Sequence, residues 1–259
     1  MLFPLFLRSL LATSFALAGA GVGAFAASGR HQDSLAPLVA LAGGALLAGG
    51  LFSVLPEAAR MAGTVPALLA AAAGYATLFA VGKWIYPVCP ACSFGHVDTI
   101  TTRASPNLSN PSLLLALVVG LHAFVDGVAV TGGTGAAMLA AVALHKLPEG
   151  MALAVLLRVE GRSPARAFLL ASAIEAATLA GGASGGMILG AISPAARGLI
   201  LAHLAGGFFY LVAHGFWGDL WASLGKKGGQ EGLFRQCLYG AVGFVGVALL
   251  VYLSGRNGG

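Results

Sequence analysis

Eight apolar runs, each about long enough to cross a lipid bilayer, leave few folds open to this chain. They cover roughly residues 9–27, 35–55, 65–86, 112–131, 136–157, 165–192, 199–221 and 237–254. A helix needs about 20 residues to span the hydrocarbon core. Polar or Pro/Gly-rich punctuation separates the runs. Transmembrane β-strands would instead read as short alternating segments. The expected fold is therefore an all-α integral membrane protein with eight transmembrane helices in one bundle. Composition agrees: hydrophobic residues make up 58% of the chain and charged residues 9%, against about 25% charged in soluble domains. Such a chain cannot cover itself with polar surface. Residues 1–259 read as a single transmembrane domain whose one sizeable polar loop is 87–111. The 39 glycines predict close approach of helix backbones.

The formal charge is +5, but the fourteen Lys and Arg residues are dispersed and not interleaved with aromatics. Nucleic acid is thus not an expected partner. The basic residues are better read as topological signals. The connections between runs 1–2, 3–4, 5–6 and 7–8 carry Arg30, Arg103, Arg158, Arg162, Arg166, Lys226, Lys227 and Arg235. The other side carries Arg8, Arg60, Arg197 and Arg256. The richer side is expected in the cytoplasm, with both termini extracytoplasmic. Three cysteines, Cys89, Cys92 and Cys237, do not suggest a disulfide framework. Residues 1–27 read in two ways: as a signal peptide with an Ala-Phe-Ala end, or as a first membrane helix.

Ionisable residues within apolar runs each demand an account, because a charge at the bilayer centre costs at least about 2.5–3.5 kcal/mol. They are His122 and Asp126 in run 4, His145, Lys146 and Glu149 in run 5, Glu175 in run 6, and His203 and His214 in run 7. Residues at i and i+4 share a helix face. His122 with Asp126, and His145 with Glu149, therefore each offer an imidazole and a carboxylate to one side. The segments also repeat a pattern of His, three residues, acid, Gly, any residue, Ala: His122-Ala-Phe-Val-Asp126-Gly127-Val-Ala129 and His145-Lys-Leu-Pro-Glu149-Gly150-Met-Ala152. The short link at 132–135 predicts antiparallel neighbours. Two nitrogens and two oxygens suit zinc, and less selectively Fe(II), Mn(II) or Cd(II). His122, His145 and Glu175 each lie about ten residues into their run, near the bilayer midplane by helix rise. Pro148 frees the carbonyl of Leu144. Gly127 and Gly150 leave room beside the acids.

Other residues admit two readings. Glu175 is a candidate further ligand or the partner of Lys146. His203 reads as a hydrogen-bonded core residue. His214 and Asp219 are candidate exit-path ligands or ordinary interface residues. Cys89-Pro-Ala-Cys92, with His96 and Asp98, is a candidate loop metal clip or a reduced pair without a role, since a closed structural zinc site needs four ligands.

On these motifs the chain resembles the ZIP (Zrt/Irt-like) metal transporters over nearly its whole length. Supporting segments are Leu55-Pro56-Glu57-Ala58 at the end of run 2 and Gly206-Gly207-Phe208-Phe209-Tyr210 in run 7. The resemblance implies eight spans with the first segment retained, both termini outside, and metal movement toward the cytoplasm without nucleotide hydrolysis. It also marks departures. Many members have Asn after the first His and an acid after the second, building a second metal site. Here those positions are Ala123 and Lys146, and Ser53 stands where many members have His. The chain thus looks like a single-metal variant in which the Lys146 ammonium is an electrostatic surrogate for the second ion. The expected function is divalent-metal transport, zinc foremost, with no catalytic cofactor. The expected location is a bacterial inner membrane or a plasma membrane. Divalent metal ions and the lipid bilayer are the expected partners, and a homodimer stays open. Two other classes are a membrane metal sensor and an intramembrane metallohydrolase. The second lacks the His-Glu-x-x-His arrangement such enzymes use.

Overall fold

In a computed structural model, residues 2–25, 31–84, 111–132, 136–224 and 229–256 are described, and nearly all of them are helical. The elements are α1 (Leu2–Phe25), α2 (His31–Gly49), a π-helical turn (Gly50–Val54), α3 (Leu55–Ala62), α4 (Thr64–Trp84), α5 (Pro111–Gly132), α6 (Ala136–Val159), α7 (Pro164–Glu175), α8 (Ala177–Ala191), α9 (Pro194–Leu224) and α10 (Gly229–Arg256). Seven helical stretches are long and apolar enough to cross a membrane, and the described side chains of α5 add a shorter apolar one, Ala116–Gly132. The distribution of side chains suits that setting. Val65, Leu69, Leu117, Leu121 and Val245 face outward, whereas Asp126, Lys146, Glu149 and Glu175 are buried.

Two expected spans are interrupted. In the second, Leu55 donates its N–H to the carbonyl of Gly50, a π-type step. Pro56 supplies the cause: it has no N–H to give to Phe52, so the α-ladder cannot continue through it. Gly63, at φ +88°, then makes the tight reversal into α4. In the sixth span the helix breaks at Ala176, directly after Glu175.

The helices sort into two packed groups. One comprises α1, α5, α6, α7 and α8, and the other α2, α3, α4, α9 and α10. The broadest contact between the groups is α2 against α6. Within each group, glycines press against carbonyls of the partner helix. A Cβ at Gly19 or Gly23 of α1 would collide with the backbone at Leu147 or Met151, and one at Gly44 of α2 would collide with Gly240. Small residues allow this approach where lipid removes the usual apolar driving force. The centre of the molecule is α6: 78% of its apolar stretch is buried, against 11% for α10. That central helix carries His145, Lys146 and Glu149.

Candidate metal centre

The duplicated His-x-x-x-acid-Gly pattern has a local cause at each of its positions. Four-residue spacing sets His122 and Asp126 on one face of α5, with Leu117 and Leu121 on the outward face. It does the same for His145 and Glu149 on α6. The glycine after each acid lets a third helix close behind it. A Cβ at Gly127 would strike the Thr178 carbonyl of α8, and one at Gly150 would strike the Ala16 carbonyl of α1. A close helix contact thus adjoins each acid.

Inward, the two faces meet. His122 Nε2 lies 3.6 Å from Asp126 Oδ2 and 3.8 Å from Glu149 Oε2. His145 Nε2 lies 3.7 Å from the same Glu149 oxygen. The imidazoles stand nearly perpendicular, 5.8 Å between ring centroids. One ligand atom each from His122, His145 and Glu149 falls within 4.8 Å of the others, and all three residues are buried. Ligands of a tetrahedral zinc ion at about 2.1 Å stand about 3.4 Å apart. The histidine–carboxylate separations therefore need to close by only a few tenths of an ångström. Glu149 Oε2 is the natural pivot, since both imidazoles face it. Asp126 flanks the triad through His122.

Behind the triad lies a fully buried lysine. Lys146 Nζ is 3.0 Å from Asp126 Oδ2, 3.0 Å from Glu149 Oε2 and 3.0 Å from Glu175 Oε2. An ammonium has three N–H donors, and here three carboxylates surround it. It hydrogen-bonds Glu149 and Glu175 directly. Of the two readings of Glu175, the geometry supports the pairing: it joins Lys146 and stands outside the triad. Asp126 and Glu149 are shared, each facing a histidine on one side and the ammonium on the other.

Buried oxygens of this region without a hydrogen-bond partner among the described residues include Asp126 Oδ1, Glu175 Oε1 and Thr178 Oγ1. Thr178 did not stand out in the sequence. Its only signal there is a hydroxyl in a Gly/Ala-rich run one turn beyond Glu175.

The remaining candidates lie elsewhere. His203 is half-buried on α9, where its backbone receives Gly74 of α4. His214 is exposed and stacks on Tyr210 at 5.4 Å. Ser53 falls within the π-helical turn. Cys89, Cys92, His96 and Asp98 lie outside the described residues, as does the side chain of Asp219. The predicted pairing of α5 with α6 takes a narrower form than a short link suggests: α5 packs chiefly on α8 and α6 chiefly on α1, and the two touch each other far less extensively. No family model matches the chain, and no curated protein is similar enough to count as a relative.

Proposed function

We propose that this protein carries a divalent metal ion, zinc foremost, across a membrane in the manner of the ZIP transporters its motifs resemble. The observation that carries this reading is the buried convergence of His122, His145 and Glu149 from two apolar helices, with Asp126 beside them. A mixed nitrogen and oxygen set suits zinc and accepts Fe(II), Mn(II) or Cd(II) less selectively. Ionisable residues deep within membrane helices most often mark an ion pathway, and midplane sites are the common arrangement in carriers. The direction is toward the cytoplasm, the basic loops face that side, and both termini lie opposite.

Lys146 gives the site its single-ion character. A protonated ammonium cannot ligate, and its charge repels a second cation. It stands among three carboxylates, where another ion would otherwise be held. The test is metal uptake into proteoliposomes containing the purified protein, with competing divalent ions. Saturable zinc uptake that is lost in His145→Ala and in Glu149→Ala, at equal protein content, is the expected result. Near-normal uptake in either variant would sink the reading.

A further inference from the structure

A cavity of about 570 Å³ lies between α2, α9 and α10, with His145 of α6 on one wall. It sits at the seam of the two helix groups, beside a candidate metal ligand. Among the described residues its lining is apolar apart from His145, Gln236 and Cys237. Such a lining rejects hydrated ions and accepts hydrocarbon: an apolar cavity stays dry yet takes up apolar molecules that fit. We propose that it binds one acyl chain of a membrane phospholipid, which packs between the helix groups and against the His145 side chain. The proposal needs the membrane setting of these helices and stands independently of the transport reading.

Three observations point to an acyl chain. The first is size: the volume falls within the range of about 300–1,000 Å³ usual for mostly apolar ligand sites. The second is length. The lining runs from Gln236 to Val245 along α10 and from Val39 to Leu47 along α2. Helix rise makes each stretch about 12–14 Å, close to the roughly 15 Å of hydrocarbon in one leaflet. The third is access. Cys237 and Val245 line the cavity and are exposed, on the helix whose apolar stretch is 11% buried. The opening therefore faces the bilayer, and a chain enters it from hydrocarbon without crossing water. Leu46 and Leu211, both almost fully buried, form the deeper wall. A chain lying there supplies the dispersion contacts that an unfilled space forfeits. Gly43 keeps the space open, since a Cβ on it would meet no atom within 4 Å.

The probe is a phosphatidylcholine carrying a diazirine near the end of one acyl chain. Purified wild type, Gly43→Phe and Ala241→Phe are reconstituted with it in nanodiscs and irradiated, and adducts are mapped by mass spectrometry. Lipid surrounding the protein labels outward side chains such as Leu249, which is exposed and outside the cavity. A chain inside the cavity also labels Leu46 or Leu211, which the surrounding lipid does not reach. In Gly43→Phe the ring takes the space of the chain, so labelling of those two residues should fall by about tenfold or more, with Leu249 unchanged. Ala241→Phe fills the same space from α10 and should give the same loss. Gly246→Phe, outside the lining and with nothing within 4 Å of its Cβ, should label like wild type. Melting temperatures establish which variants are folded. Wild type labelled at Leu249 but at neither Leu46 nor Leu211 would overturn the proposal, whichever variants fold. So would undiminished labelling of Leu46 and Leu211 in a folded Gly43→Phe or Ala241→Phe protein. Zinc enters neither readout, so failure of the transport reading would leave the lipid site to stand or fall on its own labelling.

Discussion

Lys146 is the residue that most sets this site apart, and its surroundings make its removal consequential. Stripping one partner from a buried ion cluster typically costs about 3–5 kcal/mol, because the remaining charges stay desolvated and unpaired. Lys146→Met, close in volume but neutral, should therefore melt well below wild type in metal-free buffer. It should also regain more stability than wild type when zinc is added, since an ion can take the place of the ammonium. A Lys146→Met protein as stable as wild type in chelator would show that the ammonium does not compensate the carboxylates. The surrogate role has its own measurement. Lys146→Glu combined with Ala123→Asn should raise the bound zinc per purified protein from one to two, and a ratio that stays at one would count against it. The histidines add a pH signature. Metal must displace protons from imidazole, whose unperturbed pKa is about 6.5. Zinc affinity by calorimetry should fall as pH drops below that range, and equal affinity at acidic and neutral pH would contradict imidazole ligation.

At the level of helices, the glycines that follow the acids have a packing role that substitution can isolate. Gly127→Ala and Gly150→Ala each place a methyl group against a neighbouring helix carbonyl. Gly190→Ala and Gly246→Ala meet nothing within 4 Å. The first pair should lower the melting temperature in detergent and weaken zinc binding, and the second pair should do neither. Equal behaviour of the two pairs would show that the glycine contacts do not position the ligands. These helices also show what the sequence made legible. Run lengths and punctuation located the helical stretches, and i,i+4 spacing identified the faces carrying His122, Asp126, His145 and Glu149. Partner choice was not legible, because apolar runs rich in Ala and Gly look alike to a periodicity argument. The packing of α1 on α6 depends on which glycine meets which carbonyl, a three-dimensional match. The break at Ala176 was equally hidden, since no proline or glycine marks it. The π-helical turn could have been found from Pro56, which cannot complete the ladder begun by Gly50.

For the molecule as a whole, every residue of the candidate metal triad and the lysine cluster belongs to one of the two helix groups, the one built on α1, α5, α6, α7 and α8. Cys89, Cys92 and His96 fall in the sequence between α4 of one group and α5 of the other. Because those residues sit outside the apolar runs, Cys89→Ser with Cys92→Ser is expected to tune uptake without abolishing it. Complete loss of transport would make the loop an obligatory part of the path. The composition of the buried cluster has an electrical meaning as well. Three carboxylates surround one ammonium, a formal charge of −2 when all three carboxylates are ionised and the imidazoles carry no extra proton. On the proposed transport reading, a bound divalent ion would cancel that charge, leaving the occupied site electroneutral and the vacant one anionic. A membrane potential acts on charge, at about 2.3 kcal/mol per elementary charge per 100 mV. Voltage should therefore bear on the vacant site's return and hardly at all on the loaded step. In vesicles clamped with potassium and valinomycin, an interior-negative potential should raise the maximal uptake rate at saturating zinc. A rate indifferent to the imposed voltage would mean that protons or other ions neutralise the vacant cluster before it resets.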